Sequence, residues 1–178
     1  TLFEDAAIRL WTLDDEVVIA SIKSKMHTIS AEVTSGLAKG LEIAEAGYKG
    51  LVIWSYDGPF SAGADLQSMM PAFMAGGGKA IAPFEKQLQD FMLSLRYSNV
   101  PTVAAMHGLA LGGGCELAVH CAKRVAAMET YVGLVEVGVG LIPGGGGLAY
   151  QARRAAELLE TSKGISGQTP VDLMAYIK

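Results

Sequence analysis

Residues 101–117 read Pro-Thr-Val-Ala-Ala-Met-His-Gly-Leu-Ala-Leu-Gly-Gly-Gly-Cys-Glu-Leu. The run Pro101 to Met106 is apolar, short and partly β-branched, which suits a strand buried on both faces. Gly108 breaks it, and Gly112-Gly113-Gly114 then lead into a helical segment from Cys115 to about Lys123. Gly50 to Ser55 (GLVIWS) is a second short apolar run of the same kind. Between the two runs, Phe84 to Tyr97 places Leu88, Phe91, Met92 and Leu95 on one helical face. Strand, helix, strand, glycine turn, helix is an α/β order, and the rest of the chain extends it.

Upstream, Ile8 to Trp11 and Val17 to Ser21 read as two strands joined at Asp14-Asp15. Ile29 to Gly47 repeats apolar residues at helical spacing (Val33, Leu37, Leu41, Ile43, Ala44), with Ser30 as N-cap and Gly47 as stop. Pro71 to Pro83 contains Gly76-Gly77-Gly78 and little to anchor it, so a mobile loop is expected there. Downstream, Val125 to Met128 and Tyr131 to Gly133 read as strands and Leu148 to Leu159 as a helix, with turn-rich residues from Thr161 to Gly167. Several strands come in pairs before each helix. The expected architecture is therefore α/β, built from repeated strand-strand-helix units, with a repeat of element order and none of sequence.

With 178 residues the chain is sized for one core, and residues 1–178 are taken as one domain. Half of the residues are apolar (51%) and 18% are charged, which is a folding composition. A net charge of −4 argues against a nucleic-acid partner. No apolar run approaches the roughly 18 residues of a membrane span. No basic, apolar, small-residue leader opens the sequence, so the cytoplasm is the expected compartment. Cys115 and Cys121 lack metal-site spacing and read as reduced, apolar thiols. His27, His107 and His120 form no ligand pattern, so no metal is expected. The start at Thr1 suits a domain excised from a longer protein or a trimmed chain.

The glycine turns raise the question of what they face. A phosphate loop needs Lys and Ser or Thr after its last glycine, whereas Gly112-Gly113-Gly114 is followed by Cys115-Glu116. A neutral, polarisable group fits better. The Gly113 N–H, near a helix N-terminus, would carry part of the positive end of the helix dipole. A second N–H from Ala62-Gly63-Ala64 would complete a two-donor hole for an enolate formed from a thioester, worth roughly 3–4 kcal/mol per donor. The plainer alternative is that these glycines only permit tight turns.

Glu116 and Glu136 each sit among apolar residues (CELAVHCA and VEV). A carboxylate there is costly unless paired, hydrogen-bonded or protonated. Two such acids after glycine turns suit an acid and a base across one reacting group. The alternative is that either caps a helix or meets a buried arginine such as Arg124. Ser61 has no His and acid in register and is not a nucleophile elbow.

Three stretches together resemble the crotonase, or enoyl-CoA hydratase, superfamily. They are Phe60-Ser61-Ala62-Gly63-Ala64-Asp65-Leu66, the opening stretch Pro101 to Leu117, and Gly133-Leu134-Val135-Glu136-Val137-Gly138-Val139-Gly140-Leu141-Ile142-Pro143-Gly144. Order and spacing agree from about Gly50 to Gly147. Ser24 to Ser30, where many members have Asn-Ala-Leu, and Tyr131 to Glu136 are similar to the hydratase-like domain of bacterial fused 3-hydroxyacyl-CoA dehydrogenases.

The resemblance implies the ClpP/crotonase spiral of ββα units. It implies an acyl-CoA whose thioester oxygen lies between the N–H groups of Ala64 and Gly113. Ala62, Gly63, Asp65, Leu66 and Gly112 would line the substrate and CoA. Glu116 would activate a water for attack at Cβ and Glu136 would supply the proton at Cα, hydrating a trans-2-enoyl-CoA in fatty-acid β-oxidation. No cofactor is implied within this segment, and NAD only on an attached dehydrogenase domain. The partner implied is a second copy, as in the family's trimers, or that attached domain. Alternatives are double-bond isomerisation, or a non-catalytic acyl-CoA-binding module. Gln67 stands where many members have Lys, and Gly145-Gly146-Gly147 replaces the usual continuation. The chain also stops short of the C-terminal helices that cover the acyl pocket, so these are expected to be truncated.

Overall fold

The computed structural model describes residues 1–161. The strands are β1 (Phe3–Glu4), β2 (Ile8–Trp11), β3 (Val18–Ile22), β4 (Leu51–Ile53), β5 (Thr102–Met106), β6 (Leu109–Leu111), β7 (Lys123–Ala126) and β8 (Tyr131–Gly133). The α-helices are α1 (Ala31–Gly47), α2 (Leu66–Arg96), α3 (Gly113–His120) and α4 (Gly147–Thr161). Short 3₁₀ turns lie at Lys25–His27 and Glu136–Val139.

One sheet has the order β1-β2-β3-β4-β5-β7. The β1–β2 and β2–β3 pairs are antiparallel, and every later pair is parallel. A second, small sheet pairs β6 with β8 in parallel. Two isolated bridges, Ile29 to Ala64 and Ser61 to Ala110, align the stretch around Ser61–Ala64 beside it. Each turn of the chain thus lays one strand in the large sheet, one extended segment in the small one, and then a helix. β3, the extended stretch at Ile29 and α1 make the first unit; β4, the 61–64 segment and α2 the second; β5, β6 and α3 the third; β7, β8 and α4 the last among the described residues.

The core follows from strand alternation. In β3, Val18, Ala20 and Ile22 are buried and the residues between them are not. α1 turns Val33, Leu37, Leu41 and Ala44 onto that face, and the Ser30 hydroxyl accepts the Val33 N–H at its start. Two α1 glycines let helix and sheet meet closely. A Cβ on Gly36 would run into Ile8 Cγ2, and one on Gly40 would stand 2.9 Å from Leu10 Cδ2.

The structure corrects several element expectations. Pro71 to Pro83 is not a loop: it lies inside α2, which runs from the Asp65 cap to Arg96. Gly77 alone leaves helical geometry there (φ 59°, ψ −151°), kinking the helix without ending it. The physical reason is that the flanking Met, Ala, Phe and Lys residues are good or adequate helix formers. A single permissive glycine then absorbs the break. α3 ends at His120, and β7 begins at Lys123, ahead of the expected Val125. β1 and β6 had no distinct signal, being two and three residues long. Past Thr161, the turn-rich stretch expected to Gly167 lies outside the described residues, as does the end of the 1–178 domain. Among the described residues no helix is long and apolar enough to cross a membrane.

Candidate active site

The second ββα unit threads residues 59–65 between two neighbours. Phe60 N donates to His107 O, Ser61 N to Leu109 O, and Leu111 N to Ser61 O. On the other side Ala62 N donates to Met26 O, Ile29 N to Gly63 O, and Asp65 N to Ile29 O. This register uses the groups on either side of Ala64 and leaves the Ala64 N–H out of the ladder. Ser61 is fully buried. Its hydroxyl donates to His27 O at 2.7 Å and accepts from Gly63 N at 3.1 Å. It is a structural tie for the thread, in keeping with its lack of nucleophile geometry.

The third unit brings α3 against this thread. A Cβ on Gly114 would stand 2.7 Å from Ser61 Cβ and 2.8 Å from Ser61 O, so only glycine fits. Gly112, at φ 50° and ψ −120°, makes the sharp entry to α3, and its N–H donates to Gly133 O. Gly113 is the first residue of α3, where an N–H has no acceptor within the helix. A Cβ on Gly113 would lie 3.4 Å from Ala64 N, and one on Gly63 would lie 3.4 Å from Gly113 N. The two amides are therefore neighbours across the seam. Among the described residues neither has a hydrogen-bond acceptor.

Glu116 lies in the first turn of α3 and is 2% exposed. It does not meet Arg124, whose guanidinium donates to the carbonyls of Val119 and Cys121, but it does cap the start of α4, whose first residue is Gly147. Its carboxylate accepts from Gly145 N at 3.0 Å and Gly147 N at 2.8 Å. The glycine loop is shaped around it: a Cβ on Gly145 would stand 2.6 Å from Glu116 Oε2. Burial raises the Glu116 pKa, the two amides lower it, and the neighbouring charges of Glu136 and Glu85 raise it further; the balance is upward.

Glu136 opens the 3₁₀ turn after β8. A Cβ on Gly112 would stand 3.0 Å from Glu136 Oε1. Its Oε2 is buried with no partner among the described residues. Two acids and two free amides thus converge at the N-terminus of α3. Of the remaining expected binding residues, Ala62 is half-buried, Asp65 caps α2 by accepting the Ser68 N–H, and Leu66 is exposed. Gln67 is exposed.

One acid of this region went unread. Glu85, on α2, has Oε2 buried with no partner among the described residues, and burial raises its pKa. The signal was available: Glu85 precedes Leu88 by three and Met92 by seven, which sets it on the buried stripe of the helix. His120 is buried, donating from Nδ1 to Glu116 O, and burial lowers its pKa. The two thiols are free and buried, pushed up to about 11 for Cys115 and about 12 for Cys121, which makes neither a nucleophile.

Comparison with known proteins finds similarity along most of the chain. Residues 16–168 match the family described as enoyl-CoA hydratase/isomerase. The chain is 38% identical over 144 residues to the "Probable 3-hydroxyacyl-CoA dehydrogenase" of Bacillus subtilis, covering 81% of this chain and 18% of that one. It is 31% identical to the "Probable enoyl-CoA hydratase" of the same organism, covering 90% of this chain and 64% of the relative. The crystal structure of an enoyl-CoA hydratase from Polaromonas sp. JS666 superposes with a TM-score of 0.75 at 28% identity, over 83% of this chain and 58% of that one. The chain therefore spans only part of each of these proteins.

Proposed function

The chain belongs to the enoyl-CoA hydratase/isomerase family and has its fold, and from that premise we propose that it is the module that adds water to trans-2-enoyl-CoA thioesters. The observation that carries this reading is the pair of unbonded amides, Ala64 and Gly113, side by side next to two carboxyls. The thioester oxygen accepts both N–H groups. As the Glu116 carboxylate takes a proton from water, the oxygen bonds to Cβ. The C=C electron pair moves onto the thioester as an enolate, which the two amides stabilise. Glu136, which starts the cycle protonated, delivers its proton to Cα through the oxygen that has no partner among the described residues, and the proton Glu116 took from water returns to Glu136 before the next turnover. The reaction is redox-neutral and uses no cofactor beyond the CoA of its substrate.

Gly63 and Gly112 keep side chains away from the thioester, and the backbone from Ala62 to Leu66 guides the CoA. Raising the pKa of Glu116 by burial strengthens it as a base nearer neutral pH. The product is a 3-hydroxyacyl-CoA, the substrate in the name of the Bacillus subtilis relative. This supports a place beside an attached dehydrogenase domain that would hold NAD. The apolar residues Val137, Val139 and Ile142 are exposed, which supports a further contact, with such a domain or a second copy. Two reduced thiols suit the cytoplasm.

Turnover of crotonyl-CoA, followed by loss of conjugated thioester absorbance, tests the reading; binding without turnover in the full-length protein would leave only an acyl-CoA-binding module. A second reading draws on the two amides that engage Glu116. If they remove it from chemistry, Glu136 alone can carry a proton between Cα and Cγ, and the activity is double-bond isomerisation. Formation of conjugated from 3-enoyl-CoA, with no hydration, selects that outcome.

A further inference from the structure

Glu85 has no part in the steps above, yet it is built into the same site. Its carboxyl rests on the α-carbon of Gly144, where a Cβ would stand 2.5 Å from Glu85 Oε2. One turn further along α2, Gln89 Nε2 donates to Gly144 O at 2.7 Å. One face of α2 therefore grips Gly144 in two places. The next amides along the loop, Gly145 and Gly147, are those that hold Glu116. We propose that Glu85 is a positioning residue for Glu116, a third carboxyl that steadies the glycine loop and acts on Glu116 through space without touching substrate.

The groups facing Glu116 can be taken element by element. From α3 come Cys115, held protonated by burial, and His120, whose burial disfavours its charged form. The loop 144–147 brings only glycines. The 3₁₀ turn brings Glu136 and α2 brings Glu85. Among the described residues, the negative charges that act on Glu116 are therefore those of Glu136 and Glu85. A nearby like charge makes a carboxyl hold its proton. Glu85 thus sets the pH at which Glu116 becomes available as a base.

This inference rests on Glu116 being that base, and the test separates the two claims. Glu85→Gln keeps the shape against Gly144 and removes the charge. The acid limb of kcat/KM for hydration then moves to lower pH, and across the part of the limb where Glu85 is ionised in the wild type the variant runs roughly threefold or more faster. Structural damage does not produce such a gain. In protein carrying ¹³C-labelled glutamate, the Glu116 carboxyl titrates at lower pH in the variant. Glu85→Ala also vacates the contact with Gly144, and it lowers kcat at every pH by loosening the loop.

An acid limb and a Glu116 titration that both stay in place in Glu85→Gln overturn the proposal. If neither protein hydrates any enoyl-CoA, the titration still reports: a shift upholds the action of Glu85 on Glu116 and assigns the failure to the hydratase reading. If Glu85→Gln does not fold, Glu85→Asp, which keeps the charge but withdraws it by one methylene, shifts the Glu116 titration in the same direction. No shift there overturns the proposal.

Discussion

Gly76-Gly77-Gly78 and Gly112-Gly113-Gly114 are the same tripeptide in opposite circumstances. A Cβ added to Gly77 or Gly78 meets nothing within 4 Å, and one on Gly76 meets only Ala80 of its own helix. A Cβ added to Gly112, Gly113 or Gly114 meets Glu136, the Ala64 amide or Ser61, all at 3.4 Å or closer. The first run lies in the largely exposed half of α2, where glycine supplies only a kink. The second is where two ββα units touch, and there the missing side chains let amides and carboxyls converge. A glycine run takes its meaning from what the fold places opposite it.

The largest expected effect sharpens the functional side of that contrast. Glu116→Gln keeps the fold and lowers crotonyl-CoA hydration on the order of 10²–10⁴-fold, the usual loss for a general base. Full hydration in that variant would falsify the two-acid mechanism. Next, Gly114→Ala forces a methyl into Ser61 and costs roughly 1–3 kcal/mol in denaturant unfolding. An unchanged midpoint would mean that the seam between the units is looser than 2.7 Å implies.

Smaller, and of a definite sign, is the pH dependence of Glu85. Burial raises its folded-state pKa above the unfolded value, so the native chain holds that proton to higher pH. The stability this contributes is fully present below the ordinary carboxyl range and lost as pH rises through the raised value. Glu85→Gln should therefore gain on wild type in urea midpoints as pH increases from acid to neutral; a constant difference would contradict the assignment. Smallest is Gly78→Ala, which adds about 0.4–1 kcal/mol of stability by helix propensity and leaves turnover alone. Gly77→Ala goes the other way, because φ 59° strains any side chain.

Much of the fold was legible before the structure. The apolar runs at 51–53 and 102–106, the stripe of α1 and the Ser30 cap occur where hydrophobic spacing and capping chemistry put them. Over 71–83 the Gly and Pro residues signal a break, yet the surrounding helix formers carry α2 through all but Gly77. Glu116 and Glu136 stood out as acids in apolar company. Glu85 did not, because it falls in the first turn of the helix expected over 84–97, where an acid is ordinary and by itself gives no sign of burial.

What the amino-acid order determined alone is local: which runs are strands, which face of each helix is apolar, and where the backbone can bend sharply. Those depend on neighbours a few residues apart. Only the tertiary structure decided that the Ala64 and Gly113 amides meet, that Gly145 and Gly147 hold Glu116, and that Glu85 sits behind that loop. Each of these is a contact between distant segments. It exists because the parallel register of successive units brings a free N–H or a buried carboxyl to one seam.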